Sequence, residues 1–423
     1  MKESRYNFFF EKGDGNYLAY NAFTNAFAEV SAEEYEIITE MLEDPGNYEY
    51  KSKDKETIKE ELTYGGYLID DDLDELDALR LEYYSDRFND KYLNLTIAPT
   101  MRCNFRCEYC YEEHLKVDMS KEIQDSIVKL LENSAGRLSN FNVTWFGGEP
   151  TLKMDIIEDM TARFKKICKE NNIAYSATIV SNGYILDKKM AQKLKDLDVI
   201  IAQITLDGPK EIHDVRRPVV GGAGSFDKII DNLKEISDIL KVHLRINVDK
   251  NNYKETEDLF DYLEEVGLKN KVLPYFGIVT AYTDTCSNIA ESCFDLQEYS
   301  DIEITMYEKA VAKGYNMAKY PQRISGGYCT ADRVSSMAIA PNGLVFNCWN
   351  HMSSEKDDAV GSLTGEKYDK FLYNYQKWMG HNVFEKEKCR ECKVLPICMG
   401  GCPYENMKLT GDATICNPMK FNI

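Results

Sequence analysis

The chain has 423 residues and a net charge of −20 at pH 7. This length predicts two or three domains, and the acidity argues against a nucleic-acid-binding protein, which needs clustered Lys and Arg. The sequence has no run of about 18 apolar residues and no apolar core near its start, so it predicts neither a membrane span nor a signal peptide. We therefore expect a cytoplasmic protein in which the clustered cysteines, among thirteen in all, are metal ligands rather than disulfide partners.

The first 92 residues predict a module of three strands followed by helices. The strand candidates are Tyr6–Phe10, Tyr17–Tyr20 and Phe27–Val30, and helices are expected up to Met41 and near Thr57–Leu62. The segment Lys12-Gly-Asp-Gly-Asn16 predicts a hairpin, and Ser31 with Glu34 forms a capping box. This order resembles the winged-helix-like element by which peptide-modifying enzymes bind leader peptides, here by strand addition. A dimerisation module and a plain scaffold remain alternatives.

Residues 93 to 280 alternate between strand and helix. The predicted strands are Leu93–Pro99, Phe141–Phe146, Ser176–Val180, Ile200–Leu206, Val242–Val248 and Val272–Ile278. The predicted helices are Ile123–Leu131, Met154–Glu170, Asp187–Leu197, Phe226–Leu240 and Tyr253–Val266, with a bridging helix over Glu303–Lys313. This alternation predicts βαβ units and a parallel sheet. Functional residues are expected at the carboxyl ends of its strands.

Two motifs follow the first two of these strands. Cys103, Cys107 and Cys110 are spaced to hold three corners of a [4Fe-4S] cluster, which leaves the fourth iron open to a small molecule. His114 keeps a Cys3His zinc site as an alternative. In Gly147-Gly148-Glu149-Pro150, the glycines allow a close approach of the backbone to a ligand, and Glu149 can bind an ammonium group. A strand-ending turn is the alternative.

The cysteine triplet, with Tyr109 before its last member, and the Gly147–Pro150 segment resemble the signature motifs of the radical S-adenosylmethionine (SAM) enzymes. The resemblance implies an α/β fold with a partial (β/α)6 barrel. It also implies that the amino and carboxylate groups of SAM chelate the open iron. One electron then cleaves SAM to methionine and a 5′-deoxyadenosyl radical, which abstracts hydrogen from the substrate.

The same resemblance implies a set of SAM-binding residues. They are Tyr109, Gly147, Gly148, Glu149, Thr178, Ser181, Asn182 and Arg216. Ser181 and Asn182 follow the third predicted strand, and Arg216 ends a family pattern that begins at Asp207. A turn or cap role stays open for the single polar residues. The sequence assigns no catalytic residue.

The C-terminal region carries a second cysteine pattern, which resembles the SPASM extension of a subset of radical SAM enzymes. The resemblance implies two auxiliary [4Fe-4S] clusters, and therefore three clusters in all. The implied ligands are Cys329, Cys348 and Cys402 for the inner cluster, and Cys389, Cys392, Cys398 and Cys416 for the outer one. A zinc ribbon that uses Cys389, Cys392, Cys398 and Cys402 is the alternative, but it leaves three cysteines without a role.

Two cubane clusters need eight ligands, and this extension offers seven. Cys286 and Cys293 are candidates for the eighth, although ordinary thiols are the favoured interpretation. Without an eighth ligand the inner cluster has an open iron, which can bind the thiolate of a substrate cysteine.

We therefore expect three domains: residues 1–92 for leader recognition, 93–305 for the radical SAM barrel, and 306–423 for a bridge and the SPASM clusters. The chain resembles sactipeptide and ranthipeptide maturases, which form thioethers in ribosomally made precursor peptides. The expected partners are such a precursor with its leader and a low-potential electron donor, such as ferredoxin or flavodoxin.

Three other functions remain open. A sulfatase maturase, which makes formylglycine, commonly has Asp after the cysteine that matches Cys348, where this sequence has Trp349. A peptide carbon–carbon cross-linking enzyme needs no substrate thiolate. An electron-transfer or regulatory iron–sulfur protein would need neither the open-iron triplet nor the Gly147–Pro150 segment.

Overall fold

A computed structural model describes residues 1–317, 320–327, 329–411 and 413–423. The chain divides into two compact units. The terminal unit consists of Met1–Phe88, Tyr320–Cys329 and His381–Ile423, and the barrel unit consists of Asn89–Lys319 and Thr330–Gly380. The domain boundaries predicted after residues 92 and 305 stay a prediction.

The terminal unit begins with a small mixed module. Its elements are β1 (Lys2–Glu3), β2 (Asn7–Glu11), β3 (Tyr17–Asn21), β4 (Phe27–Val30), α1 (Ala32–Glu43), α2 (Lys53–Tyr64), β5 (Leu68–Ile69) and α3 (Glu75–Arg87). Strands β2, β3 and β4 form an antiparallel sheet with β4 at an edge. The predicted hairpin is confirmed by the 2.7 Å bond from Lys12 N–H to Asn16 O. The predicted capping box of Ser31 and Glu34 is confirmed as well.

The barrel unit is built on a nine-stranded sheet. Its strands are β6 (Tyr92–Ile97), β7 (Asn140–Trp145), β8 (Ala174–Ser181), β9 (Val199–Thr205), β10 (Lys241–Val248), β11 (Val272–Ile278), β12 (Ser336–Ile339), β13 (Leu344–Phe346) and β14 (Gly361–Ser362). Strands β6 to β11 are parallel and adjacent in chain order, β12 runs parallel to β6, and β13 and β14 extend the sheet antiparallel. The carboxyl ends of β6 to β11 therefore meet at one edge, where sites form in parallel sheets.

Helices alternate with these strands and pack on them. They are α4 (Lys121–Ser134), α5 (Met154–Glu170), α6 (Lys188–Asp196), α7 (Lys210–Arg216), α8 (Phe226–Ile236), α9 (Thr256–Glu265), α10 (Leu296–Ala312) and α11 (Asp369–Gly380). Their apolar faces join the strands in one core, which includes Ile127, Phe164, Leu194 and Phe260. The predicted α/β fold is confirmed, and the six predicted strands lie within two residues of their observed bounds.

Two differences from the prediction in the barrel unit have a local cause. Helix α10 begins at Leu296, seven residues before the predicted start at Glu303, because Asp295 and Glu298 form a capping box. The hairpin of β12 and β13 was not predicted; it turns at Gly343, which has a φ of 86°.

Four short helices complete the terminal unit: α12 (Glu387–Arg390), α13 (Leu395–Cys398), α14 (Pro403–Asn406) and α15 (Met419–Asn422). This region shares a hydrophobic core with the N-terminal module, and the core contains Tyr6, Leu79, Tyr83, Phe384 and Leu395. The first and last parts of the chain thus fold against each other. No helix in the described ranges is long and apolar enough to cross a membrane.

Candidate active site

The loop after β6 holds the predicted cysteine triplet. Cys103, Cys107 and Cys110 are free thiols of intermediate exposure, and the fully buried ring of Phe105 anchors the loop in the core. Burial raises the pKa of Cys103 and Cys110, and an ionised Cys107 raises both further. The three thiols therefore lie close together at the carboxyl end of the first barrel strand.

Burial disfavours the ionised form of these thiols unless a nearby positive charge stabilises it. Burial raises the pKa of Cys103 to about 12, and a metal bound to thiolates supplies the compensating charge. Each thiolate of a cubane cluster binds a different iron, so the triplet fits three corners of such a cluster. Among the described residues, no three His, Cys, Asp or Glu side chains are arranged to hold a single metal ion.

Gly147 and Gly148 allow the end of β7 to pack against the cysteine loop. Gly147 has a φ of 102°, and a Cβ at this position would lie 2.4 Å from the backbone oxygen of Thr100. A Cβ on Gly148 would lie 2.4 Å from the backbone oxygen of Arg102. Any side chain would push the two segments apart. The glycines therefore set the distance between the strand end and the cysteine loop.

Glu149 is fully buried and connects the ends of β7 and β8. Its carboxylate accepts hydrogen bonds from Asn182 N–H over 2.7 Å, from the Ser181 hydroxyl over 2.9 Å and from Thr151 N–H over 3.1 Å; the Thr151 hydroxyl also donates to it. Burial raises the pKa of Glu149, and these bonds lower it. Asn182 also donates from Nδ2 to Asn104 Oδ1 over 2.7 Å. Glu149 thereby holds the loop after β8 beside the cysteine loop.

Tyr109 is fixed by a buried polar network. Its hydroxyl donates to Asp207 Oδ2 over 2.5 Å and accepts from Arg217 Nη1 over 2.5 Å and from Asn247 Nδ2 over 3.0 Å. Burial raises the pKa of Tyr109 well above its usual value, so the hydroxyl stays protonated. Asp207 follows β9, Arg217 follows α7, and Asn247 lies in β10. The network therefore links the cysteine loop to the ends of β9 and β10.

Arg216 lies in the same network, between the buried acids Asp207 and Asp249 and the exposed Glu108. Its Nη1 is 2.9 Å from Asp249 Oδ2 and 3.1 Å from Glu108 Oε1, and its Nε is 3.5 Å from Asp207 Oδ2. Its Nη2 donates no hydrogen bond to any residue in the described part of the chain. The guanidinium therefore has a donor left for a carboxylate ligand.

Part of the chain matches a known protein family. Residues 97–275 match the model of the Radical SAM superfamily. The matched range includes the cysteine triplet and the Gly147–Pro150 segment. Residues 97–275 form a radical SAM domain. Such a domain implies a [4Fe-4S] cluster and SAM, and the triplet, the two glycines and the open Arg216 donor fit that cluster and cofactor.

Three curated relatives are similar to parts of this chain or to most of it. The radical SAM cyclopropyl synthase TigE of Paramaledivibacter caminithermalis is 22% identical over 94% of this chain and 89% of its own. A cysteine-type anaerobic sulfatase-maturating enzyme of Clostridium novyi is 25% identical over 74% of this chain and 88% of its own. The Fe-coproporphyrin III synthase of Methanosarcina barkeri is 30% identical, but over only 39% of each chain.

Two solved structures share the fold. The structure of anSMEcpe with bound AdoMet has a TM-score of 0.61 and 20% identity, and covers 78% of this chain and 95% of its own. The structure of Streptococcus suis SuiB bound to its precursor peptide SuiA has a TM-score of 0.54 and 15% identity, and covers 97% of each chain.

The predicted SAM contacts lie around the radical SAM triplet in two groups. Ser181 and Asn182 are bound to Glu149, whereas Tyr109 and Arg216 belong to the network around Asp207. Thr178 lies within β8, and its hydroxyl donates to Thr144 Oγ1 over 3.2 Å. Direct contact of each of these residues with SAM stays a prediction.

Four C-terminal cysteines, which we call the outer set, lie together in the terminal unit: Cys389, Cys392, Cys398 and Cys416. Burial raises the pKa of Cys389 and Cys398, and an ionised Cys416 raises both further. An ionised Cys392 in turn raises the pKa of Cys416, after the larger effect of burial. Lys420 Nζ lies 3.1 Å from Cys392 Sγ. The outer set matches the predicted ligands of the outer cluster, and that cluster stays a prediction.

The predicted ligands of the inner cluster belong to both units. In the terminal unit, burial and then an ionised Cys329 raise the pKa of Cys402, so these two thiols are neighbours. In the barrel unit, burial and then negative charge on Glu112, Cys110 and Cys348 raise the pKa of Tyr111. Cys348 therefore lies within electrostatic range of Tyr111, the residue that follows Cys110.

Cys286 and Cys293 lie in the segment after β11. Both pack in a small cluster with Tyr109 and Tyr111, next to the cysteine loop. Cys286 is fully buried, and its thiol donates to Thr283 O over 3.3 Å. Their role as a further cluster ligand stays a prediction.

Sequence reasoning missed Glu112, near the radical SAM triplet, and could not place Trp349 in the fold. Glu112 is 7% exposed, and burial and then the charge of Glu149 raise its pKa to about 8. Trp349 stacks obliquely on Phe146, with 6.1 Å between ring centroids, directly before the Gly147–Pro150 segment. The feature of the sequence that could have pointed to Glu112 is its position two residues after Cys110. The sequence alone does not place Glu112 or Trp349 in three dimensions.

Proposed function

We propose that this chain is a radical SAM enzyme that forms a thioether between a cysteine sulfur and a carbon of a ribosomally made precursor peptide. The observation that carries the proposal is the position of Cys348 and Trp349. Trp349 lies beside Phe146, which directly precedes the Gly147–Pro150 segment, and Cys348 is the residue before Trp349. A thiol and an aromatic ring would therefore face the substrate at the position where a sulfatase maturase commonly has an acidic side chain.

The comparisons support a peptide or protein substrate. TigE and the sulfatase-maturating enzyme each match more than two thirds of this chain. SuiB, whose fold covers 97% of the chain, is described in complex with a precursor peptide. The sulfatase-maturating enzyme and SuiB are named for acting on a protein or for binding a peptide, and we extend this feature to this chain.

The bound cofactor would supply one hydrogen-abstracting 5′-deoxyadenosyl radical for each SAM cleaved by one electron. The chain's own residues hold the segments around the site in place. Gly147 and Gly148 fix the strand end against the cysteine loop, and Tyr109 is immobilised by three hydrogen bonds. Tyr111, the residue after Cys110, forms an edge-to-face pair with Tyr282, with centroids 6.3 Å apart.

The atoms and electrons of the proposed reaction balance. One hydrogen atom leaves the acceptor carbon for the deoxyadenosyl group, and one proton leaves the substrate thiol. Formation of the carbon–sulfur bond releases one electron, which replaces the electron spent on SAM cleavage. SAM is therefore the net two-electron oxidant, and the peptide loses two hydrogens.

Further parts of the proposal concern partners and location. The free edge of β4 would bind the leader of the precursor by strand addition, and a ferredoxin or flavodoxin would supply the electron. The outer set and the group of Cys329, Cys348 and Cys402 would hold two auxiliary [4Fe-4S] clusters, which makes three in all. The enzyme would work in the cytoplasm.

The test is anaerobic incubation of the reconstituted enzyme with candidate precursors, followed by tandem mass spectrometry. A loss of two hydrogens, mapped to a link that contains a cysteine, is the expected result. The same precursor with that cysteine changed to Ser is the matched control and should remain unmodified. An unmodified precursor under conditions in which SAM is consumed with that precursor bound would contradict the proposal.

Two other reactions have specific support. The 25% identity to the sulfatase-maturating enzyme favours formylglycine formation, which would replace the thiol by an aldehyde. The similarity to a cyclopropyl synthase over 94% of the chain favours carbon–carbon bond formation. In that case the two hydrogens would be lost even from the Cys→Ser precursor, so the one experiment separates all three reactions.

A further inference from the structure

Arg245 lies in β10, on the face of the barrel sheet that is turned away from the helices. The residues on either side of it, Leu244 and Ile246, are fully buried in the core that the strands share with the helices. Because successive residues of a strand point to opposite faces, Arg245 belongs to the inner face of the barrel. Its side chain is half-buried, so a ligand inside the barrel can reach it.

The inner face around Arg245 is polar and uncharged. Half-buried amide and hydroxyl side chains line it on the neighbouring strands: Asn142, Thr144, Ser176, Thr178, Gln203 and Tyr275. The Ser176 hydroxyl donates to Asn142 Oδ1 over 2.7 Å, and the Tyr275 hydroxyl donates to Gln203 Oε1 over 2.7 Å. These bonds leave N–H and C=O groups of the amides for a polar ligand.

Arg245 has no anionic partner on this face. It is the one arginine of strands β6 to β11, and these six strands contain no Asp or Glu. Its Nε donates to Asn247 Oδ1 over 2.6 Å, but Nη1 and Nη2 form no hydrogen bond or ion pair with any residue in the described ranges. A guanidinium has five N–H donors in a planar fork that matches a carboxylate. Its two terminal nitrogens are therefore available to an anionic ligand.

Contacts on two sides fix the guanidinium inside the barrel. Asn247, which accepts the bond from Arg245, also donates from Nδ2 to the Tyr109 hydroxyl over 3.0 Å. On the side of β11, the ring centroid of Tyr275 is 5.9 Å from Arg245 Cζ. Gly277 leaves room for the guanidinium, because a Cβ there would lie 2.6 Å from Nη2. One amide side chain thus separates Arg245 from the cysteine loop.

We propose that Arg245 binds a carboxylate of the substrate peptide, and so selects peptides that carry an acidic group near the carbon that loses hydrogen. The amides and hydroxyls of the inner face suit the N–H and C=O groups of the peptide backbone. The inference rests on the proposed function and names the chemical class of its substrate. The carboxylate belongs to an Asp or Glu side chain or to the C terminus of the peptide, and the test separates these sources.

The experiment is a double-mutant cycle between the full-length, cluster-reconstituted enzyme and a candidate precursor, with SAM and without reductant. Each acidic residue of the precursor is changed in turn to its amide, and a further form carries a C-terminal amide. In the wild type, one change should raise the Kd by roughly tenfold to a hundredfold, the range for a lost charge-assisted hydrogen bond. Arg245→Gln should raise the Kd of the unchanged precursor similarly, and the sensitive change should then have no further effect.

Lys241→Gln is the matched control, because it removes a positive charge from the exposed amino end of the same strand. This variant should respond to every precursor as the wild type does. If each carboxylate change costs as much in R245Q as in the wild type, the proposal is wrong. A larger loss of SAM affinity than of peptide affinity would also overturn it, since Arg245 would then serve the cofactor. Sensitivity to the C-terminal amide alone would identify the terminal carboxylate as the ligand.

A chemical-modification assay tests the same contact without a precursor. Phenylglyoxal modifies accessible arginines, and mass spectrometry of the digested protein gives the rate at Arg245. N-acetyl-aspartate amide should slow this reaction relative to N-acetyl-asparagine amide at the same ionic strength, whereas the exposed Arg80 should react equally with both present. Equal rates at Arg245 would contradict carboxylate binding.

Neither assay requires a thioether to form. A precursor that shows the coupling to Arg245 but loses no hydrogens would reject the proposed reaction and keep this inference. A precursor that forms the thioether without the coupling would do the opposite, so the two failures are distinguishable.

Discussion

The radical SAM triplet and the outer set are both groups of neighbouring thiols, but they differ in number and surroundings. The triplet has three thiols among buried carboxylates and arginines of the barrel unit. The outer set has four, and the charged groups that lower the pKa of its members are Lys386, Lys388 and Lys420. Three thiols leave one iron of a cubane cluster open, and four close it. On the proposed cluster assignment, the triplet would bind a reactive cofactor, whereas the outer set would serve stability or electron transfer.

The largest effect is expected when the ligands of the triplet are removed. Replacement of Cys103, Cys107 and Cys110 together by Ala should remove about four irons, because one cubane cluster is lost. SAM cleavage to 5′-deoxyadenosine should then be abolished, as measured by chromatography under reducing conditions.

The matched variant removes ligands from the outer set. Cys389→Ala with Cys392→Ala should also cost about four irons, while peptide-free SAM cleavage persists. Cleavage that survives in the triplet variant, or stoichiometric zinc in the wild-type protein, would contradict this distinction.

The next effect concerns the hydrophobic core that the outer-set region shares with the N-terminal module. Leu79 is 1% exposed and packs with Phe384 and Leu395 in that core. Leu79→Ala should lower the free energy of unfolding of the terminal unit by about 2–5 kcal/mol and release outer-set iron at lower denaturant. The control is Leu81→Ala on the same helix, because Leu81 is 68% exposed; equal stability of the two variants would refute the shared core.

A smaller effect is expected at the edge strand β4. Phe27 is 61% exposed on this strand, and an exposed apolar side chain on an unpaired edge suits an added peptide strand. Phe27→Asp should weaken precursor binding by roughly tenfold, the loss expected for a good interface residue, with peptide-free SAM cleavage intact. Tyr64→Asp, at another exposed aromatic residue of the module, is the control. Unchanged affinity in both would remove this strand from leader recognition.

The smallest effect is expected at Lys420, next to the outer set. Lys420 Nζ lies 3.1 Å from Cys392 Sγ, and its positive charge favours the reduced, more negative cluster. Lys420→Gln should therefore lower the midpoint potential, by up to about 50 mV for an exposed charge. A redox titration followed by EPR measures this shift, with Lys408→Gln as the control. A rise in potential would show that Lys420 does not act through its charge.

Much of the fold and the main motifs could be predicted because their signals are local. The alternation of strands and helices, the Ser31–Glu34 capping box and the cysteine spacing all depend on residues close in sequence. The shared core of Tyr6 with Phe384 could not be predicted, since it joins residues from the two ends of the chain.

Long-range contacts also decide the roles of the acidic residues in the site. The sequence shows Glu149 in a motif and suggests that it binds a ligand, but the structure shows that Ser181 and Asn182 engage its oxygens. Glu112 belongs to neither sequence motif of the site. Its burial, near the charge of Glu149, depends on the folding of the cysteine loop.

The most direct test of the central claim, that the radical SAM site acts on a peptide carbon, uses a deuterated precursor. The precursor is made with its residues deuterated at carbon and incubated anaerobically with the enzyme, SAM and reductant, and the 5′-deoxyadenosine is analysed by mass spectrometry. The account predicts one deuterium in the 5′-deoxyadenosine, in proportion to modified peptide. Modified peptide with no deuterium in the 5′-deoxyadenosine would contradict it.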